Sequence, residues 1–240
     1  MNTMKQALWL VKFEMKASVK QYFFLLGFAI FYGIFFSMTI SLHNTLLFDF
    51  FFILVFGFCA VWARPKELQL QKISEGLWAS PFVVMLNQLP IPKNVLINSR
   101  FIVFYIFSIP FNLFILTFIY IFSMELRESI PAISYLIFSV IWICFGIAFG
   151  SMFPASDVGD KMPKNKWKWV AIGVLFYGGL IGSVIAVNMY SGQGIVGWSI
   201  HAAKEFPVVS ILLSLMIAIL SVIYYMRYMY KKIAQIDYLK

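Results

Sequence analysis

Residues Tyr22–Ser41 read YFFLLGFAIFYGIFFSMTIS, and no charged side chain interrupts them. A helix needs about 20 apolar residues to cross the roughly 30 Å hydrocarbon core of a bilayer. In lipid the backbone must also satisfy its own hydrogen bonds, which a helix does within a single segment. This stretch therefore predicts a membrane-spanning α-helix.

Five further apolar runs follow along the chain. They are Thr45–Ala63, Phe101–Met124, Ile130–Phe153, Trp169–Asn188 and Pro207–Met226. Of the 240 residues, 62% are hydrophobic and only 12% are charged, whereas about 25% are charged in soluble domains. The composition excludes a soluble enzyme, a disordered protein and a secreted disulfide scaffold. We expect an all-α polytopic membrane protein, a single transmembrane domain over residues 1–240 with six spans.

Six spans put both termini on one side of the membrane, and the basic residues indicate which side. Of the 19 Lys and Arg residues, all but Arg127 and Lys204 lie in the two terminal segments, Arg64–Arg100 and Pro154–Lys168. Cytoplasmic loops collect Lys and Arg, so we expect both termini in the cytoplasm. The net charge of +9 then requires no nucleic-acid partner. The excess of Lys over Arg, together with abundant Ile, Phe and Asn, is typical of a low-GC bacterial source, which predicts the bacterial plasma membrane.

Residues 1–21 precede the first span and predict an amphipathic helix. At 100° per residue, one face carries Met4, Ala7, Leu8, Val11, Met15 and Val19, and the other carries Lys5, Lys12, Lys16 and Lys20. Trp9 and Phe13 lie beside the lysines, as in helices that lie at the headgroup level. The alternative is a solvated basic tail that only sets the topology.

Motifs of catalysis and metal binding do not occur in this sequence. It contains no G-x-x-x-x-G-K-[ST], no H-E-x-x-H and no Cys/His ligand set, so we expect no active site, no metal and no bound cofactor. Ionisable residues lie only near span ends, such as Asp49 and Arg100. Ion-coupled transporters usually carry such residues within their spans. Asn112, after Pro110, predicts a kinked span, an interhelical hydrogen bond or simple packing.

The longest loop between spans, residues 64–94, contains a helical pattern. In Lys66–Trp78, the apolar residues Leu70, Ile73 and Leu77 recur at i, i+3 and i+7, which predicts a short amphipathic helix on the cytoplasmic surface. One interpretation is a connector packed beneath the bundle. The other is a docking element for a cytoplasmic partner.

The end of this loop carries a family resemblance. Leu89-Pro90-Ile91-Pro92-Lys93, followed by an apolar pair and by Ser99-Arg100-Phe101 at the start of the third span, resembles the ABC-2-type exporter permeases. The residues that match the family motif are Pro90, Lys93, Ser99 and Arg100. The order of elements is also similar to that family over nearly the whole chain. Pro92 departs from it, because the family more often has a small or polar residue there.

The resemblance implies a permease subunit that works with a separate cytoplasmic ATPase, which binds ATP and Mg²⁺. The helix of residues 64–94 would dock into that ATPase, through Glu67, Leu68, Leu70, Lys72, Ile73 and Glu75. A second permease, identical or homologous, would complete the pathway. The size is similar to that of exporters of bacterial peptides, such as phenol-soluble modulins, and of antimicrobial-peptide resistance systems. An amphipathic or hydrophobic substrate, a peptide, is the expected cargo, with membrane lipid as the surroundings.

The outer loop of residues 189–206 carries Trp198. Similar exporters have short re-entrant helices here that cap the path, and an interfacial tryptophan anchor is the alternative. Two other classes of protein stay open. One is a transporter or channel that uses no ATP, including one for lipids or small molecules. The other is a non-transporting immunity or sensor protein of the membrane.

Overall fold

The structure, a computed structural model, describes residues 3–40, 45–62, 68–74, 77–161 and 166–236. Nearly all of these residues are helical. In chain order the helices are α1 (Thr3–Ala17), α2 (Val19–Thr39), α3 (Leu46–Trp62), α4 (Pro81–Asn87), α5 (Lys93–Phe122), α6 (Met124–Ser129), α7 (Ala132–Gly150), α8 (Met152–Ser156), α9 (Lys166–Ser191), α10 (Ile195–Glu205) and α11 (Pro207–Gln235). Strands β1 (Gln71–Ser74), β2 (Leu77–Ala79) and β3 (Asp160–Lys161) form one small antiparallel sheet in the order β1-β2-β3.

Five helical segments are long and apolar enough to cross a membrane. They are α2, α5, α7 continued through α8, α9 from Val170 onward, and α11. The chain is therefore an all-α protein whose helices suit a multi-pass membrane protein, as predicted. The sixth predicted span, Thr45–Ala63, forms α3, which has 17 residues and is shorter than the other five.

The centre of the bundle is built around α5. Its buried face contacts α1, α2, α3 and α7. Aromatic rings pack α3 against α7. Phe52 of α3 stacks on Phe56 of the same helix with ring centroids 4.5 Å apart, and it meets the edge of Trp142 of α7 at 4.5 Å. Such pairs stabilise a core beyond the area they bury. Phenylalanine thus packs the interior, while other phenylalanines, such as Phe23, lie exposed on the surface.

A second hydrophobic cluster closes one end of the bundle, which we call the base. It joins Ala7 and Leu10 of α1 with Leu77 of β2, Val95 of α5 and Met229 of α11. The two terminal helices, the segment before α5 and the segment after α7 therefore meet at one end. The opposite end, where α10 lies, is called the α10 end.

The helix predicted for Lys66–Trp78 is wrong. Ile73 lies in β1 and Leu77 in β2, which pair with each other as antiparallel strands. Leu77 and Ala79 are buried while Trp78 between them is exposed, which is the period of two of a strand. Strand β2 also pairs with β3, which is about 80 residues away, so tertiary pairing overrides the local helical spacing.

The N-terminal helix ends earlier than predicted. Helix α1 ends at Ala17 rather than near residue 21, and Ser18 forms a turn in which its hydroxyl donates to the Glu14 carbonyl at 2.8 Å. The buried face carries Ala7, Leu10, Val11 and Glu14. Met4 and Leu8 are predicted on this face but are exposed, and so is Val19, which lies in α2. The placement of α1 at a membrane interface stays a prediction.

The predicted outer loop of residues 189–206 is mostly helical. Helix α9 continues to Ser191, Gly192 turns the chain with a φ of 65°, and α10 follows from Ile195 to Glu205. Helix α10 packs against α3, α7, α9 and α11. The segment is therefore a helix seated on the bundle rather than an irregular loop.

Candidate functional site

Helix α10 is held by a carboxylate at its N-terminus. Asp49, in the first turn of α3, accepts hydrogen bonds from the backbone N–H groups of Ile195 at 2.6 Å and Val196 at 3.0 Å. Asp49 is fully buried. The first N–H groups of a helix have no partner within it, and negative charge is stabilised there. Asp49 thus fixes the start of α10 to α3.

Two more contacts tie α10 to its surroundings. The Trp142 Nε1–H of α7 donates to the Ser199 hydroxyl at 3.1 Å, and that hydroxyl in turn donates to the Val196 carbonyl. Near the C-terminal end of α10, the Lys204 ammonium donates to the Ser129 carbonyl at 2.8 Å. The helix is therefore fastened at its start, its middle and its end.

Two apolar cavities lie beneath α10. The smaller, of about 250 Å³, lies between α7, α10 and α11. The larger, of about 490 Å³, lies between α3, α7, α9 and α10, within the usual range of about 300–1,000 Å³ for ligand pockets. The cavities share four lining residues, Ile141, Phe145, Trp198 and Ser199, so they adjoin along α7.

Trp198 has a central place in this site. Its side chain lines both cavities and is 52% exposed. None of the described lining residues carries a charge. The site therefore suits an apolar molecule, and the role of Trp198 as a cap stays a prediction.

The four predicted docking residues that the structure describes do not share one environment. Leu68 is buried, whereas Leu70, Lys72 and Ile73 are exposed at the base. Glu67 and Glu75 lie outside the described residues. The structure thus leaves three of the six predicted residues exposed on and beside β1.

The four motif residues before and within α5 have different environments. Pro90 is exposed in the turn before α5, and Lys93 is exposed at its first position. Ser99 is fully buried and donates to the Leu96 carbonyl at 2.8 Å. Arg100 is also buried, at 2% exposure. The motif therefore includes two surface residues and two interior residues.

Arg100 lies in a buried charge cluster at the base. Its Nη1 donates to Glu14 Oε1 of α1 at 3.0 Å, and its Nη2 contacts Glu14 Oε2. The guanidinium lies over the ring of Phe82 at 4.8 Å from the centroid, a favourable cation–π geometry. Asp157 contributes a second negative charge nearby. Arg100 thus links α1, α4 and the segment after α8.

The third span is one helix on both sides of its proline. Helix α5 runs through Pro110 from Lys93 to Phe122. Asn112 is buried, and its side-chain amide lies against Gly146 of α7. Asn112 therefore takes part in close packing of α5 on α7.

Sequence reasoning missed two residues of these sites. In the sequence Asp49 marks only a position near the end of a span, although a lone carboxylate inside an apolar run indicates a polar partner. Glu14 has no local signal in the sequence, because it is a charged residue within a helix that already carries four lysines. Both partners, the start of α10 and Arg100, lie far along the chain.

The described residues hold no group of three or more His, Cys, Asp or Glu side chains that could bind a metal ion. Comparison of the chain with protein-family models, with curated proteins and with solved structures finds no match in any of the three.

Proposed function

We propose that this chain is the membrane-spanning permease subunit of an ATP-driven exporter of the ABC-2 type. It moves an amphipathic or hydrophobic substrate, a peptide, out of a bacterial cell and draws its energy from a separate ATPase. The observation that carries this proposal is the pair of uncharged, apolar cavities beneath the fastened helix α10. Such a site favours an apolar cargo over an ion or a sugar.

Six membrane crossings form part of the proposal, with α3 as the sixth. Asp49 at the start of α3 contacts α10 at one end of the bundle, while Leu77 lies in the cluster at the base. The chain therefore passes from one end to the other through α3. Helix α3 is about 26 Å long at 1.5 Å per residue. This length is close to the thickness of the hydrocarbon core, which is about 30 Å.

Both termini then lie on the cytoplasmic side of the plasma membrane, with the base. A green fluorescent protein fused after Lys240 is expected to fluoresce, and alkaline phosphatase at the same position is expected to be inactive. The same two fusions placed after Ser129, where the chain ends after three crossings, are expected to give the opposite result, with no fluorescence and active phosphatase. Active phosphatase at the C-terminus would contradict the orientation.

The base offers a surface for the ATPase. Between residues 70 and 89, five large apolar side chains are exposed: Leu70, Ile73, Trp78, Met85 and Leu89. Exposed apolar groups outside the spans favour a protein partner. A docked ATPase would transmit its motion through the sheet and α4 to α5.

The test of this surface is co-purification. The tagged chain is expressed in its native cells and extracted in mild detergent. The eluate is assayed for ATP hydrolysis and, by mass spectrometry, for a polypeptide with the G-x-x-x-x-G-K-[ST] motif. Leu70→Asp with Ile73→Asp is expected to remove most of that ATPase. The control is Met124→Asp, which changes a more exposed apolar side chain at the start of α6, at the α10 end of the bundle. This variant is expected to retain the ATPase.

The substrate is tested with the reconstituted pair. Amphipathic peptides are expected to stimulate ATP hydrolysis, and Trp198→Ala is expected to reduce that stimulation.

The following outcomes would contradict these proposals. If Leu70→Asp with Ile73→Asp still co-purified with the ATPase at the wild-type stoichiometry, docking at β1 would be refuted. Peptide binding by a chain that purifies without any ATPase would favour an immunity or sensor protein instead, and stimulation by lipid alone would favour a lipid transporter.

A further inference from the structure

Helix α1 presents a basic face on the side that points away from the bundle. Its buried side chains pack against α5. At 100° per residue, three lysines fall within an arc of about 40° on the opposite side of the helix. They are Lys5, Lys12 and Lys16, and all three are exposed. We call these three residues the lysine ridge.

The positive charge of the lysine ridge is not offset by an acid on the same face. The acidic residue of α1 is Glu14, and its carboxylate is turned inward, where it pairs with Arg100. Within the part of the chain that the structure describes, none of the three ridge ammonium groups has an ion-pair partner. The outward face of α1 is therefore complementary in charge to an anionic surface.

Large apolar side chains border the lysine ridge on both sides. Trp9 and Phe13 lie along one edge and are 66% and 60% exposed, and Leu8 lies along the other edge and is 48% exposed. Water and dissolved anions offer these three side chains no apolar surroundings. The boundary between lipid headgroups and acyl chains suits both kinds of residue at once, because aromatic side chains and lysines are both favoured there.

The packing of α1 on α5 places the ridge at the depth of the headgroups. Helix α5 has 30 residues and is about 45 Å long, which is close to the thickness of a bilayer with both headgroup layers. Helix α1 packs beside the first turns of α5, where Glu14 meets Arg100. Only Ser18 separates α1 from α2, which is itself long enough to span. In a bilayer that α5 crosses, the phosphates of the leaflet at the base thus lie beside α1.

We propose that the lysine ridge of α1 binds the phosphates of anionic phospholipids in the leaflet at the base, with Trp9 and Phe13 seated between headgroups and acyl chains. Zwitterionic lipid is a weaker partner, because the cationic choline group offsets the charge of its phosphate. This proposal does not depend on export, since it needs neither an ATPase nor a peptide substrate.

The experiment measures which lipids lie next to the ridge. The full chain is made with the photo-crosslinking residue p-benzoylphenylalanine in place of Phe13. It is reconstituted in nanodiscs of phosphatidylcholine with a minor fraction of phosphatidylglycerol. After irradiation, mass spectrometry counts the adducts with each lipid, and we expect phosphatidylglycerol to exceed its share of the bilayer. The same crosslinker in place of Leu220, which is exposed on α11, is expected to return the ratio of the bulk bilayer.

Removal of ridge lysines tests the electrostatic part of the proposal. Lys12→Gln with Lys16→Gln is expected to reduce the enrichment by up to about fivefold for each lysine. The matched control is Arg127→Gln with Lys204→Gln, which removes the same charge from exposed positions at the α10 end and is expected to leave the enrichment unchanged. Salt at about 1 M, where the Debye length is about 3 Å, is expected to abolish the enrichment in the chain with all its lysines.

Three results would overturn the proposal. The first is a set of adducts at position 13 in the bulk lipid ratio. The second is an equal loss of enrichment in the two double variants, which would indicate a response to net charge rather than to the ridge. The third is adducts of position 13 with the ATPase in place of lipid when the complex is irradiated in its native membranes, which would assign the ridge to a protein partner. Circular dichroism and elution volume establish that the variants fold.

Discussion

Glu14 of α1 and Arg100 of α5 form an ion pair that is closed to solvent on both sides. The side chains are 1% and 0% exposed, and Nη1 donates to Oε1 at 3.0 Å. The residues are 86 positions apart in sequence, so the pair fixes the N-terminal helix against the start of a long apolar helix. The ring of Phe82 lies over the guanidinium.

Breaking this pair is expected to destabilise the protein. Glu14→Gln leaves the charge of Arg100 without its main partner, and loss of one member of a buried pair costs about 3–5 kcal/mol. Denaturant unfolding of the detergent-solubilised chain measures the free energy. The control is Lys12→Gln on the exposed face of α1. Surface substitutions of this kind usually change the unfolding free energy by no more than about 0.5 kcal/mol.

The double variant Glu14→Leu with Arg100→Met separates pairing from packing. Replacing both members of a buried pair by apolar residues is often close to neutral. We therefore expect the double variant to be more stable than Glu14→Leu or Arg100→Met alone, with a coupling energy of about 3 kcal/mol or more in a double-mutant cycle. Additive losses would contradict a direct interaction between the two side chains.

The Asp49 carboxylate is expected to control the stability of the start of α10. Asp49→Ala leaves two N–H groups without their acceptor, at a cost of about 1–3 kcal/mol. Hydrogen exchange at the Ile195 and Val196 amides is then expected to accelerate about 5- to 150-fold. Lys204→Met, which removes only the contact at the other end of α10, is expected to leave these two amides unchanged. Unchanged exchange in Asp49→Ala would refute the cap.

The sequence predicts the long helices of this fold well, because lipid imposes one simple requirement. The run Tyr22–Ser41 corresponds to α2, and Phe101–Met124 to most of α5. In lipid, an uninterrupted apolar stretch of this length has few stable forms other than a helix. Exact ends are less predictable: α11 continues to Gln235, beyond the apolar run, because Met229 and Ile233 pack in the base.

The contacts that define the two sites depend on distant partners and escape local patterns. Three apolar residues at Leu70, Ile73 and Leu77 fit a helix by spacing, but Leu77 pairs across the sheet with Lys161. Likewise, nothing near Asp49 in sequence indicates the backbone of Ile195. Spacing rules describe one element at a time, whereas these contacts join elements that meet only after folding.

Close packing of α5 on α7 is expected to make Gly146 intolerant of a side chain. A Cβ at Gly146 would lie 2.5 Å from Asn112 Nδ2 and 3.0 Å from the Phe56 carbonyl oxygen. Overpacking of this kind costs about 1–3 kcal/mol, so Gly146→Ala is expected to lower the unfolding free energy. At exposed Gly27 a Cβ meets nothing within 4 Å, and Gly27→Ala is expected to raise it by about 0.5–1 kcal/mol. Changes of the same sign in both variants would contradict this packing.

The base sheet is expected to depend on Gly159. This residue has a φ of 86°, and a Cβ there would clash with the backbone of Trp78 and Ala79 in β2. A backbone contact cannot be relieved by a rotamer change, so Gly159→Ala adds a steric cost to the roughly 1–2 kcal/mol of the left-handed conformation. Gly192 is the matched control, because its φ is 65° and a Cβ there has open space. Gly159→Ala is therefore expected to accelerate hydrogen exchange in 77–79 and to weaken the proposed ATPase association, whereas Gly192→Ala is expected to change neither. Equal protection of 77–79 in the two variants would refute the dependence of the sheet on Gly159.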